Sequence, residues 1–75
     1  MLKKRSVSLA GHATSIALEP EFWTALQAMA AGQGLSLMAL IARIDRGRGG
    51  DPLASACRLA ALRWALEGSG LRKSA

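Results

Sequence analysis

Seventy-five residues make one small domain at most, and a domain of this size hides only about 60% of its unfolded surface, so it gains from a partner. Alanine (15) and leucine (12) dominate the apolar residues while valine, isoleucine and threonine together number six, which predicts a mostly helical chain. Ten Lys and Arg against five Asp and Glu leave a net charge of +5, which favours an anionic partner, and the single cysteine excludes an intrachain disulfide or a cysteine-built zinc site.

The first nineteen residues carry a period of two. Val7 and Leu9 alternate with Ser6 and Ser8, and Ile16 and Leu18 alternate with Ser15 and Ala17, so a short N-terminal β-ribbon is expected over residues 4–19. Ala10-Gly11-His12-Ala13 separates the two runs, as a hairpin turn or as a kink. A two-stranded ribbon is marginal in water and has to pack on something. Met1–Arg5 has the charge of a signal-peptide start, but the following Ser-Val-Ser-Leu-Ala-Gly-His is too polar for an apolar core, and the cytoplasm is the expected compartment.

Pro20 opens a first helix, expected over 20–32, at the position where a missing N–H costs nothing. With Glu19 as cap, Leu18 and Trp23 have the spacing of a hydrophobic staple; Phe22, Leu26 and Met29 make the inward stripe, and Gly32 or Gly34 ends the helix. Glu19 and Glu21 favour the positive end of the helix dipole and point apart, so they are not read as an acid–base pair. A second helix is expected over 36–47, with Ser36 as N-cap, Leu35 and Leu40 as staple, and Leu37, Leu40, Ile41 and Ile44 on one face. Arg46-Gly47-Arg48-Gly49-Gly50 is a basic loop. Asp51 as cap and Pro52 in the first turn open a third helix over 52–67, followed by a short basic tail, 68–75.

That third helix is apolar on two sides. Leu53, Cys57, Ala60 and Trp64 share one face, and Leu59, Leu62 and Leu66 lie nearly opposite, between Arg58 and Arg63. Such a helix is usually sandwiched between two surfaces, which implies a second chain. No apolar run reaches the ~20 residues of a membrane span. The basic residues do not line one helix face either, so no membrane partner is expected. His12, the only histidine, is expected to close the turn rather than to catalyse or bind metal. Cys57 reads as a small core residue, and Trp23 and Trp64 as packing anchors. No catalytic constellation, metal site or cofactor is expected.

Strand, short helix, Gly34-Leu35-Ser36 turn and second helix in a small basic chain resemble the ribbon-helix-helix superfamily of Arc and MetJ type. More narrowly, Gly11-His12-Ala13-Thr14-Ser15-Ile16, Leu18-Glu19, Phe22-Trp23 and Leu40-Ile41 look like short bacterial ribbon-helix-helix domain proteins with a further C-terminal helix. The resemblance implies an intertwined homodimer in which one strand from each chain pairs antiparallel. The expected interface is Ile16, Leu18, Phe22, Leu40, Ile41, Ile44, Leu59, Leu62 and Leu66. It also implies a transcription regulator that binds duplex DNA, with the ribbon in the major groove and the second helix's N-terminus at a phosphate. The resemblance gives Ser15, Ser36 and Leu37 to DNA and the basic charge adds Lys3, Lys4, Arg5 and Arg48, the last of which also suits the end of the second helix against its dipole. With Ile16 and Leu18 inward, the outward positions Ala13, Ser15 and Ala17 are too short for forked contacts to base edges, so phosphate contacts are expected to dominate. The alternative is a dimeric protein-interaction module, antitoxin-like or adaptor, that uses the third helix.

Overall fold

The computed structural model describes residues 1–68. Two antiparallel strands, β1 (Lys3–Leu9) and β2 (His12–Leu18), precede three helices, α1 (Pro20–Gly32), α2 (Leu37–Gly47) and α3 (Leu53–Gly68). Of the tail expected at 68–75, Gly68 ends α3 and residues 69–75 lie outside the described residues. The two runs of alternating residues are thus the arms of one hairpin. Their register places Leu9 against His12, Val7 against Thr14, Ser6 against Ser15 and Lys3 against Leu18. Ala10 and Gly11 form the two-residue loop, both at positive φ (50° and 82°), as a type I′ turn requires.

This pairing changes where the ribbon finds its support. The resemblance implies a ribbon of one strand from each chain. Here β1 of the same chain completes the ribbon. Its inner face is buried along a diagonal, at Val7 and Leu9 on β1 and at Ile16 and Leu18 on β2. β1 lies against α2 and β2 against α3, and the three helices pack on one another. Together they bury Trp23, Leu26, Met29, Ala30, Leu40, Ile41, Cys57 and Ala61 with the four strand residues.

Helix α1 starts as its sequence dictates. Glu19 is the cap, its carbonyl accepting from Phe22 and Trp23 N–H, and both members of the Leu18–Trp23 staple are buried. Trp23 takes the core position that the inward stripe assigned to Phe22, which is half-buried on the flank; the two are one residue, 100°, apart. The helix ends in a Schellman motif: Leu35 N–H donates to the Ala30 carbonyl and Gly34 N–H to that of Ala31, with Gly34 at φ 69°. The chain bends by 98° there and α2 begins at once. At α3, Pro52 rather than Asp51 holds the cap position. Its carbonyl accepts from Ala56 N–H, while Asp51 N–H donates to the Arg48 carbonyl and continues the preceding turn. Among the described residues no single helix is long and apolar enough to cross a membrane.

Candidate nucleic-acid interface

The register fixes which side chains the hairpin turns outward. Lys4 stands opposite Ala17, Ser6 opposite Ser15 and Ser8 opposite Ala13, all on the face away from the core and all exposed except the half-buried Ala17. Only Lys4 carries charge there. Lys3 and Arg5 alternate onto the other face, at the end of β1 that extends past the buried diagonal. Their work is partly structural. Trp23 Nε1–H donates to the Lys3 carbonyl at 2.8 Å, and the Arg5 guanidinium lies 5.3 Å from the Trp23 ring centroid. The three basic residues therefore form a paired strand split between two faces, and not a free arm.

The second element of the site is the start of α2. Ser36 Oγ accepts from Ala39 N–H at 3.0 Å, and the Ser36 carbonyl accepts from Leu40 N–H. The N–H groups of Leu37 and Met38 belong to the first turn, where no intrahelical carbonyl reaches them, and Ser36 and Met38 are exposed. With the helix dipole behind it, this end can receive an anion. Arg48 does not join it. It lies at the other end of an eleven-residue helix, about 16 Å away at 1.5 Å per residue. There its Nε pairs with Asp45 Oδ1 at 2.7 Å and its Nη1 donates to the Asp51 carbonyl.

The residues expected at a dimer interface divide in two. Ile16, Leu18, Leu40 and Ile41 are buried within the chain's own core and have almost no surface left to give a partner. Phe22 and Ile44 are half-buried, and Leu59, Leu62 and Leu66 stand out from α3 at 41%, 49% and 50% exposure. A further surface escaped the sequence reading. The two-residue loop makes Leu9–His12 a hydrogen-bonded pair, so by alternation Ala13, Ser15 and Ala17 turn their N–H and C=O groups away from β1. Among the described residues the sheet has no third strand, which leaves these groups as an open edge.

Among the described residues two titratable groups are perturbed. Glu19 Oε1 accepts from Arg58 Nε at 2.9 Å, and that hydrogen bond holds its carboxyl below the usual range; it serves no cap. Burial pushes the Cys57 thiol up to about 11, with Asp45 adding in the same direction. His12 is exposed at the hairpin tip. Among the described residues no three His, Cys, Asp or Glu side chains converge to hold a metal.

Sequence reasoning passed over Ser6 and Ser8, whose outward position follows from the alternation with Val7 and Leu9. It also passed over Arg43 and Arg63, which meet across the groove between α2 and α3. No sequence signal marks that meeting, since it depends on how the two helices pack. A family model described as a ribbon-helix-helix domain matches residues 2–65. Neither the curated proteins nor the solved structures yielded a match.

Proposed function

The chain belongs to the ribbon-helix-helix domain family, in general small DNA-binding regulators, and on that premise we propose that it is a cytoplasmic, homodimeric transcription regulator that binds duplex DNA without enzymatic activity. The observation that carries this reading is the outward hairpin face of Lys4, Ser6, Ser8 and Ser15, small, polar and exposed on a chain of net charge +5. The open edge of β2 supports dimerisation: two copies pairing antiparallel about Ser15 satisfy the backbone groups of Ala13, Ser15 and Ala17.

Such a dimer has a four-stranded sheet, β1–β2 continued by the same pair from the second copy. At about 4.8 Å per strand the outer strands lie roughly 14 Å apart, wider than the ~12 Å major groove, which admits two strands. The sheet then lies across the groove and touches phosphates through Lys4 and the serines, with the N-terminus of α2 at Ser36 and Leu37 taking a further phosphate. Short outward side chains suit that arrangement and do not suit base reading.

A titration of duplex DNA at two salt concentrations tests it. Affinity is expected to fall steeply with salt, and Lys4→Ala to weaken all sequences alike and lower the log–log slope by about 1.8, the share of two neutralised phosphates, one for each copy. Failure to bind at low salt overturns the DNA reading. The half-exposed leucines of α3 favour a second reading, an interaction module of the antitoxin or adaptor kind, which then takes its place.

A further inference from the structure

We propose that the outer face of α3, with the groove between α2 and α3, docks an acidic amphipathic helix of another protein. Leu59, Leu62 and Leu66 follow one another at spacings of three and four, the seam of a helix that packs against a second helix. The opposite face of α3, through Cys57 and Ala61, is already in the core, so this seam is left over from folding. All three leucines keep 41–50% of their surface exposed, a contiguous apolar strip of the kind that marks an interaction site.

Charge selects the occupant. The strip runs into a groove of about 250 Å³ that Leu59 shares with Arg43, Ile44, Arg48, Ala60 and Arg63. One carboxylate residue, Asp51, also lines it. The Arg48 charge is met by Asp45, whereas Arg43 bonds the neutral Gln33 side chain at 2.9 Å and Arg63 is exposed on the rim. An apolar seam with a cationic rim matches a helix that carries leucine-like residues on one face and carboxylates beside them.

A second copy of this chain fits badly. Antiparallel pairing that sets Leu59 against Leu66 puts the two-fold axis between positions 62 and 63, which brings Arg63 of each copy to the axis. Parallel pairing stacks arginine on arginine along the rim. Both arrangements set like charges together. Duplex DNA suits the arginines but leaves the leucines facing phosphates, with no apolar surface to cover them.

The test titrates the full chain with a labelled model helix bearing an apolar a/d seam flanked by glutamates, alongside glutamine-flanked and lysine-flanked versions. Binding is read by anisotropy and its location by amide shifts. The glutamate peptide is expected to bind at least roughly tenfold tighter than the glutamine one at low salt. Leu62→Gln and Arg63→Glu, both at exposed positions, should each weaken it by a similar factor, and Arg63→Glu should turn the preference toward the lysine peptide. Unaltered melting of the two variants shows that the fold is intact. Equal affinity for the three peptides, no binding, or shifts away from α2 and α3 overturns the proposal. So does a fall in sedimenting mass caused by Leu62→Gln alone, which assigns the strip to a second copy, or loss of duplex DNA binding in Arg63→Glu without loss of peptide, which assigns the rim to DNA. None of these variants touches Lys4 or Ser36, so the DNA reading fails or survives separately.

Discussion

Trp23 ties the ribbon to the helices through both its edge and its face. The indole is buried, its N–H reaches the Lys3 carbonyl, and its ring carries the Arg5 guanidinium. Trp23→Phe keeps an aromatic ring but removes the donor and part of the volume, and should cost about 1–2 kcal/mol in a urea titration. Cys57 offers a pH test at the same scale. Its thiol is raised by burial from an ordinary 9.0 to about 11 in the folded chain. Below about pH 9 it is protonated in both states and stability is unaffected. Between about 9 and 11 only the unfolded chain loses that proton, so stability falls as pH rises. The stability difference between the wild type and Cys57→Ala is therefore expected to shift against the wild type over that window, and to stay constant below it. Glu19 works in the opposite sense. Its lowered value means that the Arg58 contact stabilises above about pH 4.5 and is lost as pH falls through the folded value, an effect Arg58→Ala should abolish.

At the scale of elements, the hairpin turn is the weakest local choice in the chain. A type I′ turn wants asparagine or glycine first, and Ala10 holds φ 50° with a Cβ that opposes it. Ala10→Asn should raise stability by about 0.5–1 kcal/mol, seen as a higher melting temperature, and Gly11→Ala should lower it. The same alanine explains why the turn was not legible as one. Ala-Gly is not a hairpin signal, so residues 10–13 fit a turn or a kink equally well. The helices were legible because their signals act over a few residues. Pro20 after Glu19, Gly34 two residues before Ser36, and the paired staples each state a boundary in local chemistry, and each boundary lies within a residue of its place. The inward stripe of α1 passes through Trp23 and not Phe22, a difference of one 100° step that the sequence cannot resolve until the ribbon above the helix is positioned. Asp51 failed as a cap for a similar reason, because Pro52 with its carbonyl free already fills that position.

For the whole molecule the lesson concerns which contacts are internal. The resemblance places Ile16, Leu18, Leu40 and Ile41 at the interface with a partner, and in the single chain these four side chains are buried in its own core. β1 made the difference: paired with β2, it adds Val7 and Leu9 to the buried face. What remains for association among the described residues is the two open edges of the sheet and the strip on α3, and edge and strip make different demands. The strip faces arginine with arginine in any self-pairing, while the edge needs no side chain at all, since backbone groups at Ala13, Ser15 and Ala17 meet their own copies.

Ser15→Pro separates these possibilities. Proline removes the Ser15 N–H, which points to the open edge and not to β1, so the hairpin's own ladder keeps its bonds and an edge strand tolerates the ring. Far-UV dichroism is expected to stay as in the wild type, and the sedimenting mass to fall to that of one 7.8 kDa chain. DNA affinity should fall with it, and by more than Lys4→Ala causes, because one chain then presents half of the phosphate-contacting face and the two halves no longer bind as a unit. A Ser15→Thr control, which keeps the N–H and favours the extended strand, should leave mass and affinity unchanged. A Ser15→Pro protein that still sediments as a dimer places the seam away from β2. The open edge of β1, at Lys4, Ser6 and Ser8, and the leucines of α3 would then be its remaining sites, the latter at the expense of the acidic partner.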